Sequence, residues 1–232
     1  MHKADKRVKY QKEVTALDYI HEYDIDPEKR EIYLFGREEF IISCDTEDSH
    51  PEPGIDYTIA NRFIRNLRML QGLSADSILI HMKTCGGDWV EGMAIYQAIL
   101  ACPNYVTIIN YSHARSMSSL IFQAADWRAM LPYSTFMFHD GTYVFEGTVK
   151  QMHTEHAQAK VAAVQMMDIY LDKAEKSEFF AGKSRKQIET WMRVEMDKKE
   201  DVYLPAKLAV AMNFADVVFG ADGQYDWTKL RG

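Results

Sequence analysis

A cluster of small polar residues at positions 112–119 separates a stretch typical of a β-strand, residues 105–111, from a helical stretch, residues 120–125. The first backbone N–H groups of a helix have no partner within the helix, and the helix dipole is positive there. A serine at such a point, Ser116 for example, could act as a nucleophile whose developing negative charge is stabilised. Serine is also an ordinary N-cap residue, so the cluster alone does not decide between these two roles.

Two adjacent glycines, Gly86 and Gly87, directly follow a second strand-like stretch, residues 77–82. Glycine allows a sharp turn and leaves backbone N–H groups uncrowded by side chains. Such a loop could supply half of an oxyanion hole, or it could simply connect a strand to the helix predicted at residues 89–100. A dinucleotide-binding fingerprint is excluded, because the glycines at 86, 87 and 92 do not have the G-x-G-x-x-G spacing.

A general base is required if Ser116 is a nucleophile, and three histidines are candidates. His139 follows the strand-like residues 135–138, and the ends of neighbouring strands are where α/β sheets place their functional sites. A structural role for His139 is the simpler alternative. His81 is a second candidate, and His113 is a third, although its position three residues before Ser116 makes a productive approach difficult.

The remaining metal-binding and redox signals are weak. His153 and His156 are spaced to share one side of a helix, but no third ligand occupies an obvious position, so we predict a solvated surface and no metal site. Cys44, Cys85 and Cys102 are odd in number and lack the spacing of metal ligands. Reduced thiols in a cytoplasmic protein are therefore expected.

The composition predicts an ordinary globular domain. Of 232 residues, 47% are hydrophobic and 26% are charged, which is sufficient for a substantial core. The net charge of −7 argues against a nucleic-acid partner. No apolar stretch approaches the roughly 18 residues that span a bilayer. The basic residues 1–7 lead into no apolar segment, so no secretory signal is expected.

Strands alternate with helices between residues 31 and 138, which predicts right-handed βαβ units and an α/β fold. We assign residues 1–30 to a charged arm with a short helix near residues 10–22, residues 31–220 to one domain, and residues 221–232 to a tail. A helix predicted at residues 148–177 is long for a compact domain, and its apolar stripe must be covered by a partner or an oligomer contact. The stripe consists of Met152, Ala159, Ala163, Met166, Tyr170 and Ala174.

Four blocks in this order resemble the ClpP-type serine proteases. Residues 84–87 and 92–96 are similar to that family's S-P-G-G-x4-G-x-A-I-Y signature. Residues 112–119 resemble its G-x-A-A-S-M-G-S nucleophile turn, and residues 131–139 resemble its L-P-x-S-x-x-M-x-H segment. Residues 197–203 are similar to its D-x-x-R-D-x-F segment, with one more residue between the acids.

The resemblance implies a role for each matching residue. Ser116 is the expected nucleophile, His139 the general base and Asp201 the carboxylate that orients the histidine. The backbone N–H groups of Gly87 and Met117 are the expected oxyanion hole. No cofactor is implied.

The resemblance also implies an architecture and partners. It implies a crotonase-like fold of stacked βαβ units and a projecting helix that interleaves two heptameric rings of a homo-oligomer around a chamber for polypeptide substrates. The arm and the acidic stretch at residues 46–54 do not match the family's axial hairpin. An ATP-dependent unfoldase is therefore the partner that the sequence supports least.

Several departures from the family pattern keep alternatives open. Glu200 adds a further acid beside Asp201, so Asp197 remains an alternative third member of the triad. A crotonase-type acyl-CoA enzyme and a non-catalytic ring subunit are the alternative functions. The departures are Cys85 for proline, Ser112 and Ser118 for glycine, Arg115 for alanine and Glu200 for arginine.

Overall fold

A computed structural model of the protein describes residues 15–35, 54–142 and 145–231. The beginning of the helix predicted at residues 10–22, most of the acidic stretch at 46–54 and Cys44 lie outside these residues.

The described residues form one eight-stranded sheet, whose path runs β1-β2-β3-β4-β5-β8, with β6 paired to β4 and to β7. Strands β2, β3, β4, β5 and β8 are parallel, and β6 is parallel to β4. The predicted α/β fold with βαβ connections is therefore confirmed. The strands are β1 (Ile25–Asp26), β2 (Glu31–Phe35), β3 (Ile78–Thr84), β4 (Val106–Arg115), β5 (Trp127–Met130), β6 (Thr135–Phe138), β7 (Val202–Pro205) and β8 (Val217–Val218).

Seven α-helices and a short 3₁₀ helix at Trp227–Leu230 accompany the sheet in the described part of the chain. Successive side chains of β3 pack into two different apolar layers, because neighbouring residues of a strand face opposite sides of the sheet. Ile80 and Met82 belong to the main core with the helices, whereas Leu79 packs in a smaller cluster with Leu230. The helices are α1 (Ala16–Tyr23), α2 (Tyr57–Leu73), α3 (Trp89–Leu100), α4 (Met117–Gln123), α5 (Val149–Ala174), α6 (Arg185–Lys199) and α7 (Ala206–Ala211).

Parts of the predicted arm and tail pack on this sheet. Ile25 is buried in β1, which pairs antiparallel with β2. Near the other end of the chain, Arg231 pairs with the Glu31 carboxylate, and its carbonyl accepts a hydrogen bond from Ser77. Burial of Ile25 therefore attaches the end of the arm to the domain, and polar contacts of Arg231 attach the end of the tail.

Strand β4 is longer than the sequence predicted. We expected a turn from residue 112, but Ala114 still pairs with Thr84 of β3 and with Phe136 of β6. Pairing with β6 continues as far as Arg115, and only Ser116 leaves the strand. The turn that presents the serine is thus a single residue.

The long helix α5 has two different halves. Its C-terminal half buries Met166, Tyr170 and Ala174 in the core, whereas Met152 and Val149 in its N-terminal half are exposed. In the described part of the chain, no helix is long and apolar enough to cross a membrane.

Candidate active site

Ser116 occupies the junction of β4 and α4 in a conformation that few non-glycine residues adopt. Its φ is 51° and its ψ is −128°. Such backbone strain costs on the order of 1–3 kcal/mol and persists only where surrounding contacts enforce it. The side chain makes no capping hydrogen bond to α4, so its hydroxyl has a different partner.

The glycine loop after β3 approaches this serine at a distance that no side chain would permit. A Cβ atom added to Gly86 would lie 2.8 Å from the Arg115 carbonyl oxygen and 2.9 Å from the Met117 nitrogen. One added to Gly87 would lie 2.3 Å from the Ile55 carbonyl oxygen. Both glycines also have positive φ, 107° and 142°. The two glycines are therefore required by both conformation and contact.

A short parallel bridge to Ile55 fixes the direction of the Gly87 amide. The Ile55 N–H donates to the Gly86 carbonyl at 2.6 Å, and the Asp88 N–H donates to the Ile55 carbonyl at 2.9 Å. In parallel pairing the central residue's own N–H faces the opposite side, so the Gly87 N–H points away from Ile55. Met117 is the first residue of α4, and its N–H accordingly has no helical acceptor. Gly87 and Met117 line the same cavity.

His139 lies between the serine and a carboxylate. Its Nε2 atom is 2.8 Å from the Ser116 hydroxyl oxygen, and its Nδ1 atom is 3.1 Å from Asp201 Oδ1. Pairing of β6 with β4 brings Met137 beside Arg115. Ser116 and His139 directly follow the ends of these two strands, so their side chains lie close together. The carboxylate favours the tautomer in which Nδ1–H donates to Asp201 and Nε2 accepts the serine proton.

The register of β6 with β7 determines which acid meets His139. Phe138 pairs antiparallel with Val202, so the next residues outward, His139 and Asp201, lie opposite each other. Asp197 is instead an exposed residue of α6. The structure brings together Ser116, His139 and Asp201.

A cavity of about 300 Å³ lies beside Ser116 and His139. Its apolar wall comes from α4 and α5 and includes Leu120, Ala162 and Met166. This space can hold an apolar side chain next to the Ser116 hydroxyl.

The other four histidines considered in the sequence analysis lie elsewhere. His81 is buried on the face of β3 that also carries Leu79, away from the main core. Its Nδ1 atom is 2.9 Å from the Tyr111 hydroxyl, and burial lowers the pKa of His81. His113 contacts the Ser112 hydroxyl at 3.2 Å. His153 and His156 lie on the exposed half of α5, and the described residues include no cluster of side chains that could hold a metal.

A further serine, Ser118, supports the turn. The buried Ser118 hydroxyl is 2.8 Å from the Thr84 carbonyl and 2.7 Å from the Arg115 carbonyl, and it accepts the Arg115 N–H at 2.9 Å. Ser118 therefore ties the end of β4 to the end of β3. The sequence marked this serine only as a departure from a glycine, and the one signal of its role was its position two residues after Ser116.

Comparison with known proteins identifies the family of this chain. The family model described as Clp protease matches residues 50–222, which is most of the chain. This chain belongs to the Clp protease family. It is 26% identical over 167 residues to ATP-dependent Clp protease proteolytic subunit 2 of Thermobifida fusca, a match that covers 71% of this chain and 76% of that protein. The match to the ATP-dependent Clp protease proteolytic subunit of Chlorella vulgaris is also 26% identical over 167 residues and covers 71% and 77%.

The fold agrees with a solved Clp structure. A mutant ClpP1 from Listeria monocytogenes superposes with a TM-score of 0.65, covering 88% of this chain and 96% of that chain at 17% identity. The predicted ClpP-like fold is confirmed, as is the resemblance read from the four sequence blocks. Membership of this family supports a peptidase function in general terms.

Proposed function

We propose that this protein is a serine endopeptidase that hydrolyses polypeptides inside a chamber built from copies of this chain. The observation that carries the proposal is the 2.8 Å approach of His139 Nε2 to the Ser116 hydroxyl, with Asp201 on the other ring nitrogen. A hydroxyl hydrogen-bonded to a histidine that a carboxylate orients is the arrangement by which serine is activated.

The proposed reaction has two halves. In the first, Ser116 attacks the peptide carbonyl while His139 accepts its proton, and Asp201 stabilises the charged imidazole. The oxyanion is held by the N–H groups of Gly87 and Met117. His139 then protonates the departing amine, and water repeats the sequence on the acyl-enzyme to release the second product.

The proposed assembly rests on α5. The N-terminal half of this helix exposes Val149, Met152 and Val161, whose exposed fractions are 70%, 46% and 52%. Exposed apolar side chains of this kind are stabilised when a symmetric contact between copies of the chain covers them. We propose stacked heptameric rings in the cytoplasm. The named relatives are subunits of an ATP-dependent protease, so an ATP-dependent unfoldase is included among the proposed partners.

Replacement of the nucleophile tests the proposal. Ser116→Ala should reduce the hydrolysis of a fluorogenic peptide by about 10⁴-fold or more, and it should abolish covalent labelling by a fluorophosphonate. The mass of the assembly in sedimentation should not change, because Ser116 makes no capping bond to α4.

The same experiment separates the alternatives. A crotonase-type acyl-CoA enzyme needs no serine nucleophile, and a non-catalytic ring subunit needs no activated one. Either alternative predicts that the assembled wild-type protein resists the fluorophosphonate. Labelling at Ser116 with loss of hydrolysis in Ser116→Ala excludes both.

A further inference from the structure

A pair of buried hydroxyl groups behind the nucleophile has no role in the chemistry above. The Ser119 hydroxyl oxygen is 2.6 Å from the Ser116 carbonyl oxygen and 2.6 Å from the Tyr170 hydroxyl oxygen. Both side chains are fully buried. A carbonyl oxygen can only accept, so Ser119 donates to Ser116, and Tyr170 consequently donates to Ser119. The three groups form one directed chain of hydrogen bonds.

This chain ends on the peptide group that carries an oxyanion donor. The carbonyl of Ser116 and the N–H of Met117 belong to the same planar trans peptide, so they point in opposite directions. A hydrogen bond that fixes the carbonyl therefore also fixes the direction of the Met117 N–H. The Ser119 N–H adds a second bond to the same carbonyl, at 3.0 Å.

The strained conformation of Ser116 makes such a restraint necessary. At φ 51° and ψ −128°, the residue lies outside the regions that a serine adopts by itself. Rotation about ψ towards a relaxed conformation would swing the following peptide and its N–H away. The hydroxyl pair opposes that rotation, because hydrogen bonds between buried groups are strong and reinforce one another along a chain.

Tyr170 also contacts the strand that carries the base. Its ring lies 5.8 Å from the Phe138 ring, and Phe138 directly precedes His139. One residue of α5 thus contacts the supports of both reacting groups, the serine through its hydroxyl and the histidine through its ring. Burial raises the pKa of Tyr170 well above its ordinary value, so the hydroxyl retains the proton that it donates.

We infer that Ser119 and Tyr170 are positioning residues of this peptidase, whose linked hydroxyls aim the Met117 N–H at the oxyanion. The inference rests on the proposed function and adds to it a support from α5 that the sequence motif does not contain. Removal of either hydroxyl should weaken transition-state binding and leave ground-state binding of the substrate unchanged.

The test uses Ser119→Ala, Tyr170→Phe and the double variant in the full-length assembled protein. Each single variant should lower kcat about tenfold with an unchanged KM, since loss of an entire oxyanion donor costs about 10²–10³ and here the donor is only misdirected. The double variant should resemble the single variants, because each breaks the same chain. Affinity for a peptide aldehyde, whose adduct oxygen occupies the oxyanion hole, should fall by the same factor as kcat.

Two matched deletions act as controls. Ser177→Ala removes another buried hydroxyl that donates to a carbonyl three residues earlier, that of Ala174 at 2.7 Å. Tyr111→Phe removes a hydroxyl that is 2.9 Å from His81 Nδ1 on the other face of β3. Rates are expressed per fluorophosphonate-titrated site, so that misfolded protein is not counted. If Tyr170→Phe does not fold, Ser119→Ala measured against Ser177→Ala carries the test.

Failure of this inference differs from failure of the proposed function. Wild-type protein that neither hydrolyses peptides nor takes the label would refute the peptidase itself, and the inference would fall with it. A labelled, active wild type overturns the inference alone if Ser119→Ala and Tyr170→Phe behave like their controls, if their effects multiply, or if KM rises while kcat is unchanged.

Discussion

The carboxylate beside His139 follows a tight backbone turn that few residues adopt. Glu200 has a φ of 60° and a ψ of −68°, and the Asp201 N–H donates to the Lys199 carbonyl at 2.7 Å across it. These angles define a rare, strained γ-turn. The turn ends α6 abruptly and starts β7, so that Asp201 is aimed at the histidine. The strain at Glu200 is therefore located where the proposed catalytic geometry is set.

A comparison of the two acids tests this assignment. Asp201→Asn should reduce kcat by about 10³- to 10⁴-fold, because an amide favours the wrong histidine tautomer. Asp197→Asn, a matched change on the exposed surface of α6, should leave peptide hydrolysis close to that of the wild type. A large loss in Asp197→Asn together with an active Asp201→Asn would reverse the roles of the two acids.

Residue types alone could identify some of this site. The serine cluster, the glycine pair and the histidine at a strand end made Ser116, Gly87 and His139 candidates, and the resemblance to the ClpP-type proteases implied their roles. The resemblance implied Asp201 as the third member of the triad and left Asp197 as the alternative. Which acid lies beside His139 depends on the register of β7, a four-residue strand whose pairing with β6 is set by tertiary contacts.

At the scale of elements, the packing of α3 on α4 positions a proposed oxyanion donor. A Cβ atom added to Gly92 of α3 would lie 2.0 Å from Cγ of Met117, the residue whose N–H faces the proposed oxyanion. No movement confined to the end of the Met117 side chain relieves an overlap at Cγ. The absence of a side chain at Gly92 therefore allows α4 to begin where it does.

Gly92→Ala should consequently affect both stability and activity. Overpacking of this kind costs about 1–3 kcal/mol of unfolding free energy, and displacement of Met117 should lower kcat. Gly72→Ala is the matched control in α2, where an added Cβ would have no neighbour within 4 Å. That variant should gain up to about 1 kcal/mol from better helix propensity. Denaturant unfolding and peptide hydrolysis measure the two effects, and equal behaviour of both variants would contradict the packing argument.

The sequence predicted the bounds of an element closely where its apolar pattern repeats over many residues. It predicted them less closely where an element ends at the candidate site. The helix predicted at residues 148–177 is observed at Val149–Ala174, because its capping threonine and apolar repeat are local signals. Strand β4, expected to end at residue 111, extends to Arg115. This extension depends on neighbours in space, the strands β3 and β6, which no local pattern records.

At the scale of the whole molecule, the apolar stripe of α5 is covered within the subunit at its C-terminal end and exposed at its N-terminal end. Met166, Tyr170 and Ala174 continue it into the core, so this half of the stripe is covered within the subunit. Met152, near the other end, is 46% exposed. Ala163 lies between them and lines the cavity beside Ser116, so a substitution there would alter the site as well as the surface. Assembly is therefore best tested towards the N-terminal end of the helix.

Met152→Glu should separate stacked rings into smaller species. A carboxylate buried in an apolar contact loses its hydration without gaining a partner, at a cost of several kcal/mol per copy, and every copy in a ring carries the change. Gln158→Glu adds the same charge to an exposed position on a different side of α5 and should leave the assembly intact. Sedimentation velocity distinguishes the two outcomes. An unchanged mass for Met152→Glu would mean that this half of α5 is not the ring contact, whereas a loss of mass in both variants would indicate charge repulsion along the whole helix rather than a specific apolar interface.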